Sequence, residues 1–172
     1  MRPKDSRSKG FTLLELMIVI AIISIVLGYA APRIISSMTN SDIDEAQRML
    51  ENLNLTAKSY AITQHKPCYI QYDIDNKIVG FYPVPETSGT EPELERKIKL
   101  PDTIEIKGVK TMNQPKIDKG KAEIKMNTDG IIEKSLIYLQ GSRDKIYTLE
   151  VKPFSGKFKL HDSYIEMSYG KE

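Results

Sequence analysis

The chain has 172 residues, 40% hydrophobic and 28% charged, with 25 lysines and arginines against 23 aspartates and glutamates. That length suits one modest domain plus an added segment and excludes two enzyme-sized domains, while a net charge of +2 argues against a nucleic-acid binder. One cysteine and two histidines exclude an internal disulfide and a Cys-rich zinc site, and leave little for metal catalysis.

The apolar residues are gathered near the front. Residues 1–10 read MRPKDSRSKG, with Arg2, Lys4, Arg7 and Lys9 against Asp5, and residues 11–31 read FTLLELMIVIAIISIVLGYAA, with Glu15 as the one carboxylate. As a helix this run would span roughly 32 Å, one hydrocarbon core. Twelve of its residues are Leu, Ile, Phe or Val. At about −0.3 to −0.6 kcal/mol each, their sum exceeds a penalty of about 3 kcal/mol for a central carboxylate. Residues 11–31 are therefore expected to insert as a transmembrane helix. The basic residues ahead of them keep the N-terminus cytoplasmic, and the remainder is exported.

Three readings of this segment compete. A secretory signal peptide would end at the small-x-small step Gly28-Tyr29-Ala30, but the apolar run exceeds the usual length and Glu15 sits inside it. A plain single-span anchor is the second. Neither accounts for a carboxylate five positions into the apolar run, directly after Gly-Phe-Thr. The third rests on Lys9-Gly10-Phe11-Thr12-Leu13-Leu14-Glu15-Leu16, which resembles the cleavage and methylation signature of type IV prepilins and type II secretion pseudopilins. The resemblance runs on to Pro32, where that family often has a helix-bending proline. It implies cleavage between Gly10 and Phe11 by the membrane prepilin peptidase/methyltransferase, N-methylation of Phe11, and retention of the helix.

Glu15 has a local and a family role. Thr12-Leu13-Leu14-Glu15 fits a capping box, in which Glu15 satisfies backbone N–H groups at a helix start. The resemblance implies an assembly role: the carboxylate pairs with the Phe11 amine, usually a neighbour's, so that two charges costly in lipid are held together. The first role does not exclude the second.

Beyond Pro32, Ile35, Met38, Ala46, Met49, Leu50, Leu53, Ala57, Tyr60 and Ala61 recur three and four apart, with Asp42, Asp44, Glu45, Arg48 and Glu51 on the opposite face. This predicts an amphipathic helix to about Gln64 that needs a partner surface. Gly28 and Pro32 are the expected sites of bending or melting. Residues 36–41, rich in Ser, Thr and Asn, are a second weak point.

After the helix the period falls to two. Cys68, Ile70, Tyr72 and Ile74 alternate with polar neighbours as a strand, Asp75-Asn76 is a turn signal, and 77–82 is the returning strand. Pro83, Pro85 and the polar run 86–92 mark a loop. Ile104 and Ile106, then Ala122, Ile124 and Met126, alternate again. Residues 133–140 and 145–152 flank Gly141-Ser142-Arg143-Asp144 as a hairpin, and a last hairpin turns at Phe154-Ser155-Gly156-Lys157 before Phe158 and Leu160. The expected fold class is α+β, with a long N-terminal helix, half membrane-spanning and half amphipathic, packed on antiparallel sheet. It matches the pilin-like fold that the N-terminus implies. The order Asn127-Thr128-Asp129-Gly130, strand, strand, Ser155-Gly156-Lys157 also resembles the H-type minor pseudopilins (general secretion pathway protein H) and similar minor pilins.

Chemistry-bearing constellations are sparse. His65 and Cys68 lie three apart at the helix-to-strand junction, but the sequence places no further ligand or base beside them, and they read as junction residues with a buried thiol. Asp73-Ile74-Asp75-Asn76 superficially suggests a calcium loop, yet Lys77 and Ile78 occupy positions that need Asp, Asn or Gly. Residues 142–144 hold too few carboxylates to claim the late calcium loop of some major pseudopilins. No phosphate loop is present, because Thr87-Ser88-Gly89-Thr90 lacks the lysine and the strand-to-helix setting. Lysines at 107–110 and 116–125 alternate with apolar residues and read as solvated strand faces. Loss of residues 1–10 would leave 21 basic against 22 acidic side chains, net −1, which argues against DNA capture.

The sequence therefore reads as a cleaved leader (1–10), a transmembrane helix and assembly segment (11–31), an amphipathic helix (32–66) and a periplasmic sheet region (67–172). The function implied by the resemblance is structural: a minor pseudopilin of type II secretion, not an enzyme, with no cofactor and no metal. It would work with other pseudopilins, the prepilin peptidase and the inner-membrane secretion platform. Its localisation would be single-pass in the inner membrane with a periplasmic C-terminal domain. A minor type IV pilin, for pilus assembly or DNA uptake, is the alternative within the fold. An anchored periplasmic enzyme or binding domain is the alternative outside it.

Overall fold

A computed structural model describes residues 13–85, 92–141 and 144–167, with the backbone alone for 29–41. The chain divides into two units, Met1–Met38 and Thr39–Glu172. Helix α1, Leu13–Gln64, contributes to both, and its backbone stays helical at Gly28, at Pro32 and across 36–41. It stops where His65 takes a left-handed φ of 52°, two residues before Pro67, a common way to end a helix.

In the second unit the chain continues through β1 (Cys68–Asp73), β2 (Ile78–Pro83), β3 (Arg96–Lys99), β4 (Glu105–Thr111), β5 (Lys121–Met126), β6 (Ser135–Gln140), β7 (Ile146–Val151) and β8 (Phe158–His161). These strands form not one sheet region but two four-stranded sheets, ordered β3-β2-β1-β5 and β4-β6-β7-β8. Every pairing is antiparallel. The split arises because β5 returns to the far edge of β1, with Ile70 opposite Ile124, while β4 pairs forward with β6.

One core serves the helix and both sheets. Ile43, Ala46, Leu50, Leu53, Ala57 and Ala61 form a buried stripe on α1 at the three-and-four spacing of an amphipathic helix. The stripe clusters with Ile70, Tyr72 and Phe81 of the first sheet and with Ile137, Leu149 and Phe158 of the second. Ile43 belongs to this stripe although the sequence pattern did not single it out, and Met49 is only partly buried. The side chains of Ile35 and Met38 lie outside those described.

The outward faces are also covered. In the first sheet, a Cβ at Gly80 of β2 would lie 2.8 Å from Leu94 Cδ1, so the Leu94 side chain lies over that strand. In the second, Leu136 and Tyr138 form a smaller cluster with Met167, with Ile165 packed against it. Tyr138 donates its hydroxyl to Ile165 O (3.0 Å), and Thr148 donates to Ser163 O (2.8 Å). Strand β6 is consequently buried on both faces. Edge strand β3, by contrast, is largely exposed with the sequence RKIK, the charged edge that discourages pairing with another chain.

Gly130 closes the turn before β6. Asn127 Oδ1 accepts the Asp129 and Ile131 N–H groups at 3.1 and 2.8 Å, and Gly130 adopts φ 71°. A Cβ there would come within 2.6 Å of Lys58 Cγ on α1. Gly130→Ala should therefore destabilise the domain by about 1–3 kcal/mol, from left-handed strain and the forced retreat of the helix side chain. Tyr72 gives the opposite sign. Its hydroxyl is buried in the core without a hydrogen-bond partner among the described residues, and burying such a group costs about 1–3 kcal/mol. Tyr72→Phe should leave the melting temperature unchanged or higher in a thermal melt of residues 36–172. A clear loss of stability would mean that the hydroxyl is satisfied.

Candidate assembly segment

From Leu13 to Leu27, twelve large apolar side chains of α1 are exposed, from Leu13 at 77% to Val19 at 42%. They occupy every side of the helix, since Leu13, Leu14, Leu16, Met17, Ile18, Val19 and Ile20 follow almost without interruption. A helix apolar all round is stable only against lipid or other apolar helices, and an exposed patch of this extent marks an interaction or membrane site. Ser24, one of the few polar residues here, donates its hydroxyl to Ile20 O at 2.8 Å, so its polarity is absorbed within the helix. Glu15 lies in the first turn of α1, where a carboxylate favours the helix dipole.

Gly10, Phe11 and Thr12, which carry the cleavage site, the methylated amine and the capping-box hydroxyl in the sequence reading, lie outside the described residues, as does the Pro32 side chain. Among the described residues no helix is long and apolar enough to cross a membrane; the span expected at 11–31 includes Phe11, Thr12 and the side chains of 29–31, which are not among them. Gly28 leaves open space around its α-carbon, with nothing within 4 Å of a Cβ built there.

The other sequence constellations resolve into structure. Cys68 is fully buried at the start of β1, its thiol directed at Ala57 O of α1 at 3.8 Å. Burial pushes that thiol up to about 11. His65 is turned back on its own helix, with Nδ1 2.6 Å from Ile62 O. Residues 73–77 form a hairpin turn in which Asp73 Oδ1 accepts the Asn76 N–H (3.0 Å) and Asp75 Oδ2 accepts the Gly120 N–H (3.0 Å). Both carboxylates are thus engaged with the fold. Among the described residues no cluster of three His, Cys, Asp or Glu could hold a metal. Ser142 and Arg143 lie outside them.

Residues 5–31 match the family described as the prokaryotic N-terminal methylation motif. Among solved structures, the chain is similar to the minor pseudopilin EpsH from the Type 2 Secretion System of Vibrio cholerae, with a TM-score of 0.53 and 9% identity over 73% of this chain and 99% of that one. The chain has the pilin-like fold and carries the N-terminal methylation motif. Over 56 residues this pilin-like chain is 44% identical to the type IV major pilin protein PilA of Myxococcus xanthus (strain DK1622), which is 33% of its own length. It spans only 26% of that relative's length. A likeness at a TM-score of 0.48, with 16% identity over 71% of this chain and 90% of the other, is to the type IV minor pilin FimU of Pseudomonas aeruginosa. By their descriptions these proteins are pilin and pseudopilin subunits.

One group of residues escaped the sequence reading. Glu51, Asn54 and Lys58, on one face of α1, each bond to the backbone of the turn between β7 and β8. Glu51 Oε1 accepts the Phe158 N–H at 3.0 Å, Asn54 Nδ2 donates to Gly156 O at 2.9 Å, and Lys58 Nζ donates to Phe154 O at 2.5 Å. Polar residues among the apolar positions of a helix were the available signal, but their partners lie about a hundred residues away.

The burial of Cys68 has a direct test. Its thiol should resist a maleimide at neutral pH in the folded protein and react fully once denaturant unfolds it. Rapid native labelling would instead indicate an accessible, activated cysteine.

Proposed function

We propose that this chain is a minor pseudopilin of a type II secretion system, of the H type. It would be cleaved between Gly10 and Phe11 by a prepilin peptidase, N-methylated at Phe11, held in the inner membrane by 11–31 and joined to other pseudopilins, with its sheet domain periplasmic. The observation that carries this reading is the all-round apolar helix from Leu13 to Leu27, with Glu15 in its first turn, within the matched methylation motif. The likeness of the fold to a minor pseudopilin supports the secretion assignment. The match to a major type IV pilin over 56 residues favours a second reading, a subunit of a type IV pilus. In either system Gly28 and Pro32 serve as the place where α1 loses helicity on entering a filament, since proline removes a backbone donor.

The mature N-terminus decides the class. Intact-mass measurement should find a chain beginning at Phe11 with one added methyl group. A chain beginning at Ala31 would indicate a signal peptide, and one beginning at Met1 a plain anchor. Glu15 then separates capping from assembly. Glu15→Leu should still be processed, because the cut site is untouched, and its domain should melt as the wild type does. If the carboxylate only caps its helix, a term of about 1 kcal/mol, secretion survives. If it pairs with a neighbour's amine, the variant accumulates in the membrane and is absent from purified filaments, which is the expected outcome.

A further inference from the structure

The turn between β7 and β8, Lys152-Pro153-Phe154-Ser155-Gly156-Lys157, presents Phe154 with 76% of its surface exposed. An exposed aromatic on a loose loop would be unremarkable, but this turn is fixed from several sides. Three side chains of α1 bond its backbone at Phe154, Gly156 and Phe158. Pro153 O accepts the Ile132 N–H at 3.1 Å, and within the turn Lys152 O accepts the Gly156 N–H and the Lys152 N–H reaches Lys157 O, both at 2.9 Å. The ring is therefore held in place before any partner arrives, which lowers the ordering cost of binding.

Three lysines border the turn. Lys152 and Lys157 are exposed and face each other across the neck of the turn, an arrangement of like charges that is unfavourable in an isolated hairpin. Neither has a carboxylate partner among the described residues. Lys58 adds a third ammonium at the Phe154 carbonyl. Glu51, the carboxylate of this seam, is directed at the Phe158 N–H and the Gln47 amide. An aromatic anchor bordered by three lysines fits an apolar pocket rimmed by carboxylates.

We infer that the Phe154 turn docks into a carboxylate-rimmed apolar pocket on a different pilin-like subunit, next to this one in the filament. The inference rests on the filament reading above and names a contact within it. A second copy of this chain is the poorer occupant. The other exposed aromatic among its described residues, Tyr164, stands between the exposed Asp162 and Glu166, but Lys116 Nζ already lies 5.7 Å from the Tyr164 ring and 4.9 Å from the ring of Tyr138, on which Tyr164 is stacked.

The test is a photo-crosslink in cells that hold the full set of pilin-like subunits, with p-benzoylphenylalanine at position 154 of the full chain and at Met112, also exposed, as background. The expected result is an adduct from position 154 with a different pilin-like subunit, identified by mass, and not from position 112. Lys152→Glu with Lys157→Glu should lower its yield about tenfold, in the range of a charge-complementary contact. Phe154→Ser should reduce recovery with the filament similarly, while the thermal melts of both variants match the wild type. Adducts only with second copies, adducts only with phospholipid, or a yield indifferent to the charge reversals would each overturn the inference. So would normal recovery of Phe154→Ser. If the unmodified chain itself never copurifies with pilin-like subunits, the filament reading fails instead.

Discussion

The apolar stripe of α1 is the surface on which both sheets close. Each sheet has an inner face that must leave water, and both share one buried cluster with the helix. Ile43, Leu50 and Leu53 supply volume, while Ala46, Ala57 and Ala61 let the helix backbone come close. The closeness is visible where the Cys68 thiol at the start of β1 reaches the Ala57 carbonyl. Small residues at that contact leave no room for a larger side chain, and each buried leucine contributes about 2–5 kcal/mol relative to alanine. The same contact accounts for the raised titration of the Cys68 thiol, which burial withdraws from solvent.

Hydrophobic closure brings the layers together without fixing one of them against sliding. The bonds from Glu51, Asn54 and Lys58 to the β7–β8 turn, and from Thr103 to Asp42 at 2.8 Å, supply that registration. Each adds only about 1 kcal/mol net, and Asn54 leaves its Oδ1 without a partner. Their effect is directional. A hairpin hydrogen-bonded to the helix at three points cannot shift along it, so whatever the turn presents is presented in one orientation.

Within one continuous helix, two sequence patterns answer to two environments. Residues 43–61 are apolar on one side and polar on the other, as a helix with water behind it must be. Residues 13–27 are apolar on all sides apart from Glu15 and Ser24, and nothing in the globular unit is needed to explain them. A carboxylate in such a segment has to be neutralised or paired when lipid surrounds it.

Much of this was legible in the chain. The change of period from three-and-four to two placed the end of α1 at Gln64, β1 and β2 around the Asp73 turn, and the β6–β7 and β7–β8 hairpins, because hydrophobic spacing and turn residues are local properties. The methylation signature was legible for the same reason, being a short contiguous string. Strand β3 was not, since an exposed edge of Arg, Lys and one Ile has no core face to read. Nor was the burial of β6 on both sides, which depends on a segment from 162 to 167 crossing it, or the division into two sheets, which depends on β5 choosing β1 over β4. The seam from Glu51 to Lys58 and the fixed presentation of Phe154 fall in the same class. By itself the sequence determined the long helix, most of the strands and turns, and that the front of that helix is apolar on every side. Only the tertiary structure decided which strands are neighbours and which polar side chains meet, because those choices join residues up to a hundred positions apart and are made by the shape of the shared core.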